Sequence, residues 1–457
     1  MTSRHAISSA ALAMLAFTAH ATDLMQVWQA ARAHDPQGLI VEAGRAAGAA
    51  RQAQAAALWR PQLGLSAIAG KSSAESQMNG AQFTAPPNFP TTSGVAFATS
   101  VQNGTATRWA LNARQPIYSA ERSAQSKQLQ TGAEAAEVEA QNAQQDWMLQ
   151  TVQRYFDVVL AERRLALLEQ QHVAVEKALR EAKDRFAIGD APITDTHEAT
   201  ARAKGLQAQV IAAGNDLAQA RQVLADATGM PSTALKLQRP SDKNEPDTLA
   251  PLDHWLTLTS QHNPMVKLQK AQADTSAQEV RKHSLASAPT VDLVAQASRD
   301  RLSGHGDFGP ASNTQNQQMI GLALQVPLYT GGWRSAKLQE ALRLQDKAQA
   351  ELERARLQVA QMTRHTWMLI QSGQARLSAL DEARKASLAR LDATRLGRQV
   401  GDRTTLDLLN AENDASAAEL ALLQARVDVL QGQLRLDALA GQLDTSRLQL
   451  VNARLQH

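Results

Sequence analysis

A chain that repeats itself must fold as two copies of one unit, and this one repeats over most of its length. The stretch LMQVWQAARAHDP, Leu24 to Pro36, aligns with LDHWLTLTSQHNP, Leu252 to Pro264, at an offset of 228 that also carries Pro61 onto Pro289. At an offset of 211, Pro116 falls on Pro327 and Tyr118 on Tyr329. At 212, Arg122-Ser123-Ala124 falls on Arg334-Ser335-Ala336, Gly189-Asp190 on Gly401-Asp402, Asp195 on Asp407, Ala199 on Ala411 and Gly229 on Gly441. The offset shrinks only between the two strand-like runs of each half, so the length difference is confined to one loop.

Each half has the same order of patterns. A short helical piece ends at Asp-Pro or Asn-Pro, and a longer helix runs to about Trp59 or Ala286. After Pro61 the period becomes two: Leu63, Leu65, Ala67 and Ala69 alternate with Gln62, Gly64, Ser66 and Gly70. After Pro289, Val291, Leu293, Ala295 and Ala297 alternate with mostly polar neighbours. This is a strand with one apolar and one wet face. Segments rich in Gly, Ser, Thr, Asn and Pro, about 71–107 and 299–317, read as loops. A second alternating strand follows, through Trp109, Leu111 and Ala113 in one half and Ile320, Leu322, Leu324 and Val326 in the other.

Each half thus carries one β-hairpin, at about 61–117 and 289–328. Pro116 and Pro327 are expected to end their strands, because proline cannot donate to a ladder. Tyr118 and Tyr329 then fall where aromatic girdles of membrane barrels lie. Beyond them the period is helical from Glu121 to Phe186, which is about 100 Å of helix at about 1.5 Å per residue. Met148, Val152, Tyr155, Val159, Ala166 and Val173, and Leu420, Leu423, Val427, Leu430 and Leu434, have coiled-coil spacing.

Composition narrows the setting. Arg4 and His5 precede an apolar run to Phe17 and then Ala19-His20-Ala21, which reads as a secretory signal peptide over 1–21. The formal charge of +3 gives no case for nucleic acid. There is no cysteine, hence no disulfide framework and no thiolate site, and Thr22 offers no cysteine for a lipid anchor. Outside the leader no run of 18 apolar residues exists, so any membrane insertion must be as a closed β-barrel. Four strands cannot close one, since the smallest outer-membrane barrels use about eight; several protomers must share it.

These residues resemble the TolC-like outer membrane efflux proteins. The resemblance is carried by RPQLGLS at Arg60 to Ser66, PLYTGGWRSA at Pro327 to Ala336, RFAIGDAPITDTHEA at Arg185 to Ala199 and VGDRTTLDLLNA at Val400 to Ala411. It implies a mainly α fold with a membrane β part: a homotrimeric twelve-stranded barrel, four strands per protomer, continuous with a periplasmic α-helical coiled-coil barrel. It implies an outer-membrane exit duct for efflux or type I secretion, with no catalysis, recruited by a periplasmic adaptor and an inner-membrane transporter. Lack of an anchor cysteine leans towards the general or type I secretion branch. The expected division is a signal peptide, a first repeat over 22–229, a linker and equatorial region over 230–251, a second repeat over 252–441 and a tail over 442–457. A periplasmic coiled-coil adaptor that never enters the membrane is the alternative reading, which leaves the four amphipathic strands without a purpose.

The candidate site is the pair of Gly-Asp turns. Gly189 and Gly401 suit the left-handed position that ends a helix, and Pro192 the first turn of the next. The resemblance implies an acidic gate ring at Asp407, with Asn410 at a second ring position that is usually charged. It further implies links from Arg403 to Thr194 and from Arg398 to Asp195. A second reading of Asp407 stays open: Thr404 and Asp407 have capping-box spacing at a helix start. Gly304 to Gly309 formally matches GxGxxG, but no strand-to-helix turn surrounds it, so an exposed loop is expected. The 11 histidines form no HExxH, and no Walker A sequence is present. Neither metal nor cofactor is expected, and Trp109, Trp147, Trp333 and Trp367 read as interface or core anchors.

Overall fold

A computed structural model describes residues 22–83, 92–190, 192–241, 249–307 and 309–456. The leader and its cleavage site, and residues 242–248 of the expected linker, lie outside them. The elements in chain order are α1 (Leu24–His34), α2 (Pro36–Ala57), β1 (Gln62–Phe83), β2 (Thr92–Tyr118), α3 (Ala120–Ala187), α4 (Ile193–Thr228) and β3 (Arg239–Pro240). The second half follows as α5 (Leu252–His262), α6 (Pro264–Ser284), β4 (Thr290–Gly306), β5 (Gly309–Gln325), α7 (Trp333–Gln399), α8 (Thr405–Leu439), α9 (Thr445–Asn452) and β6 (Leu455–Gln456). Contacts divide the chain into one unit of Met1–Ala46, Ala136–Gln269 and Leu352–His457, and another of Ala47–Ala135 and Lys270–Glu351.

The second unit holds a four-stranded antiparallel sheet in the order β1-β2-β4-β5. The described parts of the expected loops are largely strand: β1 and β2 extend to Phe83 and Thr92, and β4 and β5 to the Gly306–Gly309 pair, while residues 84–91 and 308 of those segments lie outside the described residues. Gly304, His305, Gly306 and Gly309 are therefore paired at a hairpin end and not in a free loop. Ser, Thr, Asn and Gln read as loop formers, yet an antiparallel ladder fixed at one end by apolar rows carries them onward through backbone hydrogen bonds. Pro116 likewise does not end its strand; β2 continues to Tyr118 across an irregularity between these residues, and β5 stops at Gln325, two residues before Pro327.

Register sorts the two faces. Leu63, Ala113, Ala295 and Ile320 share one row and Leu65, Leu111 and Ala297 another, with Leu293 and Leu322, and Val291 and Leu324, on the same side. From Tyr118 to Trp109 this apolar face covers nine steps of β2, about 30 Å of strand and about 25 Å once tilted as barrel strands are. It is open: Leu63 is 75% and Ile320 75% exposed. The opposite face carries Asn112, Gln296, Gln317 and the ion pairs Arg108–Asp300 and Arg114–Asp292, which tie β2 to β4 across the seam between the two repeats.

The first unit is helical. α3 and α7 contain no proline and are rich in Ala, Leu, Gln, Arg and Glu, the strongest helix formers. Pairs such as Lys337–Glu340, Arg356–Glu353 and Arg384–Asp381 each add a few tenths of a kcal/mol, roughly, along the exposed surface of α7. The core gathers around Trp28, Trp147, Met148, Val152, Tyr155, Phe156 and Leu434. Trp28 meets Trp147 edge-on with centroids 4.8 Å apart. Met148, Val152, Tyr155 and Val159 are buried as their spacing predicts, but Val173 is 68% exposed, and Leu167, Val175, Ala178 and Leu179 take the inner face. A straight helix drifts by about 20° per heptad, so a seven-residue extrapolation from Val159 walks off the seam.

The termini close this unit. Thr22 bridges to Leu237, β3 pairs with β6, and the Tyr155 hydroxyl donates to the Gln238 carbonyl at 2.8 Å. The repeat recurs in a close approach: the His34 ring lies over Gly229, and the His262 carbonyl over Gly441, where a Cβ would fall 2.8 and 2.5 Å from the nearest atom. Beside the second of these glycines, burial lifts the Asp437 carboxyl to about 6, with the Arg447 charge partly opposing and Asp444 adding to it.

The folded chain thus holds a proton that an unfolded aspartate, near 3.9, has released. Stability of this packing falls as pH rises from about 4 to 6. Moving from pH 7 to pH 5 should strengthen amide protection of α9 by about 1 kcal/mol. Asp437→Asn should abolish the dependence, read by hydrogen exchange at both pH values.

Candidate functional site

Two turns in the helical unit share one backbone solution. At the end of α3 the Asp190 N–H donates to the Arg185 carbonyl at 2.8 Å, and the Gly189 N–H to the Phe186 carbonyl at 3.0 Å. At the end of α7 the Asp402 N–H donates to Gly397 at 2.9 Å, and the Gly401 N–H to Arg398 at 3.2 Å. Both are Schellman closures, and they place Gly189 at φ +80° and Gly401 at φ +83°, where a Cβ is costly. The expectation for these glycines follows from the same chemistry.

The helices restart differently. α4 begins after Pro192, which is the N-cap and not a first-turn residue, and no side chain caps it. α8 begins with a complete capping box. The Asp407 N–H donates to Thr404 Oγ1 at 3.1 Å, and Asp407 Oδ2 accepts the Thr404 N–H at 3.0 Å and its hydroxyl at 2.8 Å. These donors hold the Asp407 carboxyl below the usual aspartate range, helped by the charges of Arg403 and Arg390. The capping reading of Asp407 is thus what the geometry shows, and its half-buried carboxylate keeps a negative charge at the turn.

Within the single chain, the remaining site residues have partners other than those the resemblance implies. Within the chain Arg398 pairs with Glu181 on α3, not with Asp195. The reason is position: Arg398 lies in the last turn of α7, where a carboxylate on α3 is reached before the start of α4. Asp195 instead has the Thr194 hydroxyl 3.4 Å away. Arg403 does not meet Thr194; its Nε is 3.9 Å from Asp402, and its Cγ fills the space that Gly397 leaves. Asn410 accepts a hydrogen bond from Arg202 Nη2 at 2.5 Å, which ties α8 to α4.

Arg202, Glu181 and the pair Arg163–Glu419 are functional candidates that spacing did not reveal. Their partners stand 208, 217 and 256 residues away, and no motif surrounds them. These three contacts join α3 or α4 to α7 or α8. By contrast Arg390–Asp414 and Arg395–Glu412 lie within the α7–α8 pair, and Arg221–Glu162 within α3–α4. Among the described residues no group of carboxylates and histidines could hold a metal ion, and no helix is long and apolar enough to cross a membrane.

The sequence profile of the family described as "Outer membrane efflux protein" matches residues 27–230 and 255–442, and the chain belongs to that family. It is an outer-membrane exit duct of efflux or type I secretion systems, reaching into the periplasm of a Gram-negative cell, and not an enzyme. The chain is similar to the proteases secretion protein PrtF of Dickeya chrysanthemi, 28% identical over 349 residues that cover 76% of this chain and 75% of that one. It is similar also to the outer membrane protein TolC of Escherichia coli K12, 26% identical over 95% of this chain and 85% of that one. In structure it resembles the outer membrane protein VceC of Vibrio cholerae, with a TM-score of 0.69 and 20% identity over 92% of this chain and 96% of that one. The periplasmic adaptor alternative falls with this membership.

Replacing Thr404 by Ala removes one half of the capping box. The first turn of α8 should lose about 1 kcal/mol, seen as faster amide exchange at Asp407, with the rest of α8 unchanged.

Proposed function

We propose that three copies of this chain close one twelve-stranded barrel, whose passage is gated at the paired turns by Asp407. The observation that carries the proposal is a four-stranded sheet with a continuous apolar face and two edge strands, β1 and β5, whose outer edges have no partner among the described residues. In hydrocarbon each unsatisfied backbone group costs several kcal/mol, so those edges must be paired by other copies. Two copies would give eight strands, a number whose interior side chains fill. Three copies leave a lumen, lined by the polar face with its Arg108–Asp300 and Arg114–Asp292 pairs.

Channels of this family work with adaptor and inner-membrane transporters, and we assign the same partners to this chain, with the energy supplied by the transporter. Around a threefold axis Asp407 forms a ring of three carboxylates, and the Thr404 donors further favour their ionised form. Such rings favour cations. Asn410 adds no charge and serves as a tether through Arg202. Opening requires α7 and α8 to part from α3 and α4, which breaks Glu181–Arg398, Arg202–Asn410 and Arg163–Glu419 and leaves the pairs within each hairpin intact.

Single-channel recording in planar bilayers tests the gate. Asp407→Asn can still accept from the Thr404 N–H, so it removes charge while keeping the cap. Cation preference and block by divalent cations should weaken several-fold; unchanged selectivity would place the gate elsewhere. Arg398→Ala combined with Arg202→Ala should raise the open fraction, and an open fraction equal to that of the parent would remove these contacts from the latch.

A further inference from the structure

We infer that the helix-side end of the β-sheet is a binding collar for anionic phospholipid headgroups in the leaflet that faces the periplasm. The inference rests on the membrane-inserted reading above and adds a lipid preference to it. Its basis is where charge and aromatic groups fall in the unit formed by Ala47–Ala135 and Lys270–Glu351.

The ten residues flanking each helix-side strand end are 52–61, 119–128, 280–289 and 326–335. They contain six cations, Arg60, Arg122, Lys127, Arg281, Lys282 and Arg334, and one carboxylate, Glu121. The whole sequence carries a formal charge of only +3, so the remainder is net acidic and the collar is a local excess. The charged groups towards the hairpin ends, Lys71, Glu75, Arg108, Arg299, Asp300, Arg301 and Asp307, are four cations against three carboxylates, a far smaller excess. The asymmetry belongs to one edge of the apolar band.

The cations are available. Lys282 pairs with Glu279, but Arg60, Arg122, Lys127, Arg281 and Arg334 have no carboxylate within ion-pair distance among the described residues. Arg122 and Arg334, which are equivalent in the duplication, each donate to one backbone carbonyl, of Leu58 and Pro327, and keep further donors free. Arg60, Lys127 and Arg281 are exposed. Two of the chain's three tyrosines, Tyr118 and Tyr329, stand at this level with Trp333, and they are 52%, 88% and 59% exposed. Aromatic rings of this kind settle at the headgroup boundary, and cations beside them meet the phosphates.

A phospholipid is the occupant chosen because the collar continues directly from the apolar face formed by Leu322, Leu324 and Leu63. A bound molecule must then offer acyl chains to one and phosphate to the other. Each cation near an anionic surface raises affinity about fivefold.

The test uses the full mature protein in a neutral detergent, titrated with phosphatidylglycerol or phosphatidylcholine of identical chains and examined by native mass spectrometry. The parent should retain phosphatidylglycerol in preference. The triple variant Arg60→Gln, Lys127→Gln and Arg281→Gln should lose at least about tenfold of that preference. Inorganic phosphate at matching concentration should not displace the lipid. No preference in the parent, an undiminished preference in the triple variant, or displacement by inorganic phosphate would overturn the collar. So would loss of oligomers in the variant with its lipid preference intact, which would assign these cations to contacts between copies. Insertion into pure phosphatidylcholine bilayers separates the two levels: a parent that fails to insert refutes the membrane reading itself, whereas one that inserts without preferring phosphatidylglycerol refutes only the collar.

Discussion

Backbone hydrogen bonding in a medium without water governs this structure. A strand in hydrocarbon must give both rows of its N–H and C=O groups to neighbours, and β1 and β5 each have only one neighbour in the chain. The apolar rows of Leu63, Leu65, Leu322 and Leu324 place these strands in lipid, so the unpaired edges demand further copies. On the proposed reading, oligomerisation and a lumen follow from that demand. The helices can be long because they need only repeat a pattern of strong helix formers.

Duplication gives two similar halves that differ in detail at equivalent positions. Both helix-to-helix turns close by the same Schellman geometry at Gly189 and Gly401. Only the second restarts with a Thr404–Asp407 box, which fixes a carboxylate at the turn, while the first restarts at an uncapped Pro192. At the Asp-Pro and Asn-Pro positions the halves diverge again. Asp35 accepts from the Trp147 indole at 3.0 Å, whereas Asn263 donates to the Leu439 carbonyl at 2.8 Å. One position thus serves as an anion in one half and as a neutral bridge in the other.

Much of this was legible in the sequence because it rests on local rules. Helix ends follow from Gly and Asp-Pro, the apolar strand face from period two, and the restart of α8 from Thr404 and Asp407. The extensions of β1, β2, β4 and β5 were not legible, since their Ser, Thr, Asn and Gln residues become strand only through a ladder already set in register. Nor was the partner of Arg398. Choosing Glu181 over Asp195 depends on which helices lie side by side, a property of packing that residues 217 apart do not announce. Val173 differs for a third reason: heptad spacing holds for about three turns, from Met148 to Val159, and fails once a straight helix has drifted past its seam.

Edge pairing is the central claim, and the absence of cysteine from the chain makes it directly testable. Single cysteines placed along β1 from Gln62 to Gly70 would be combined with single cysteines along β5 from Gln317 to Gln325, oxidised in membranes and resolved by denaturing electrophoresis. The account predicts cross-linking at one register, with products that stop at three chains. Ladders that run beyond three, or no cross-link at any register in folded and inserted protein, would contradict it.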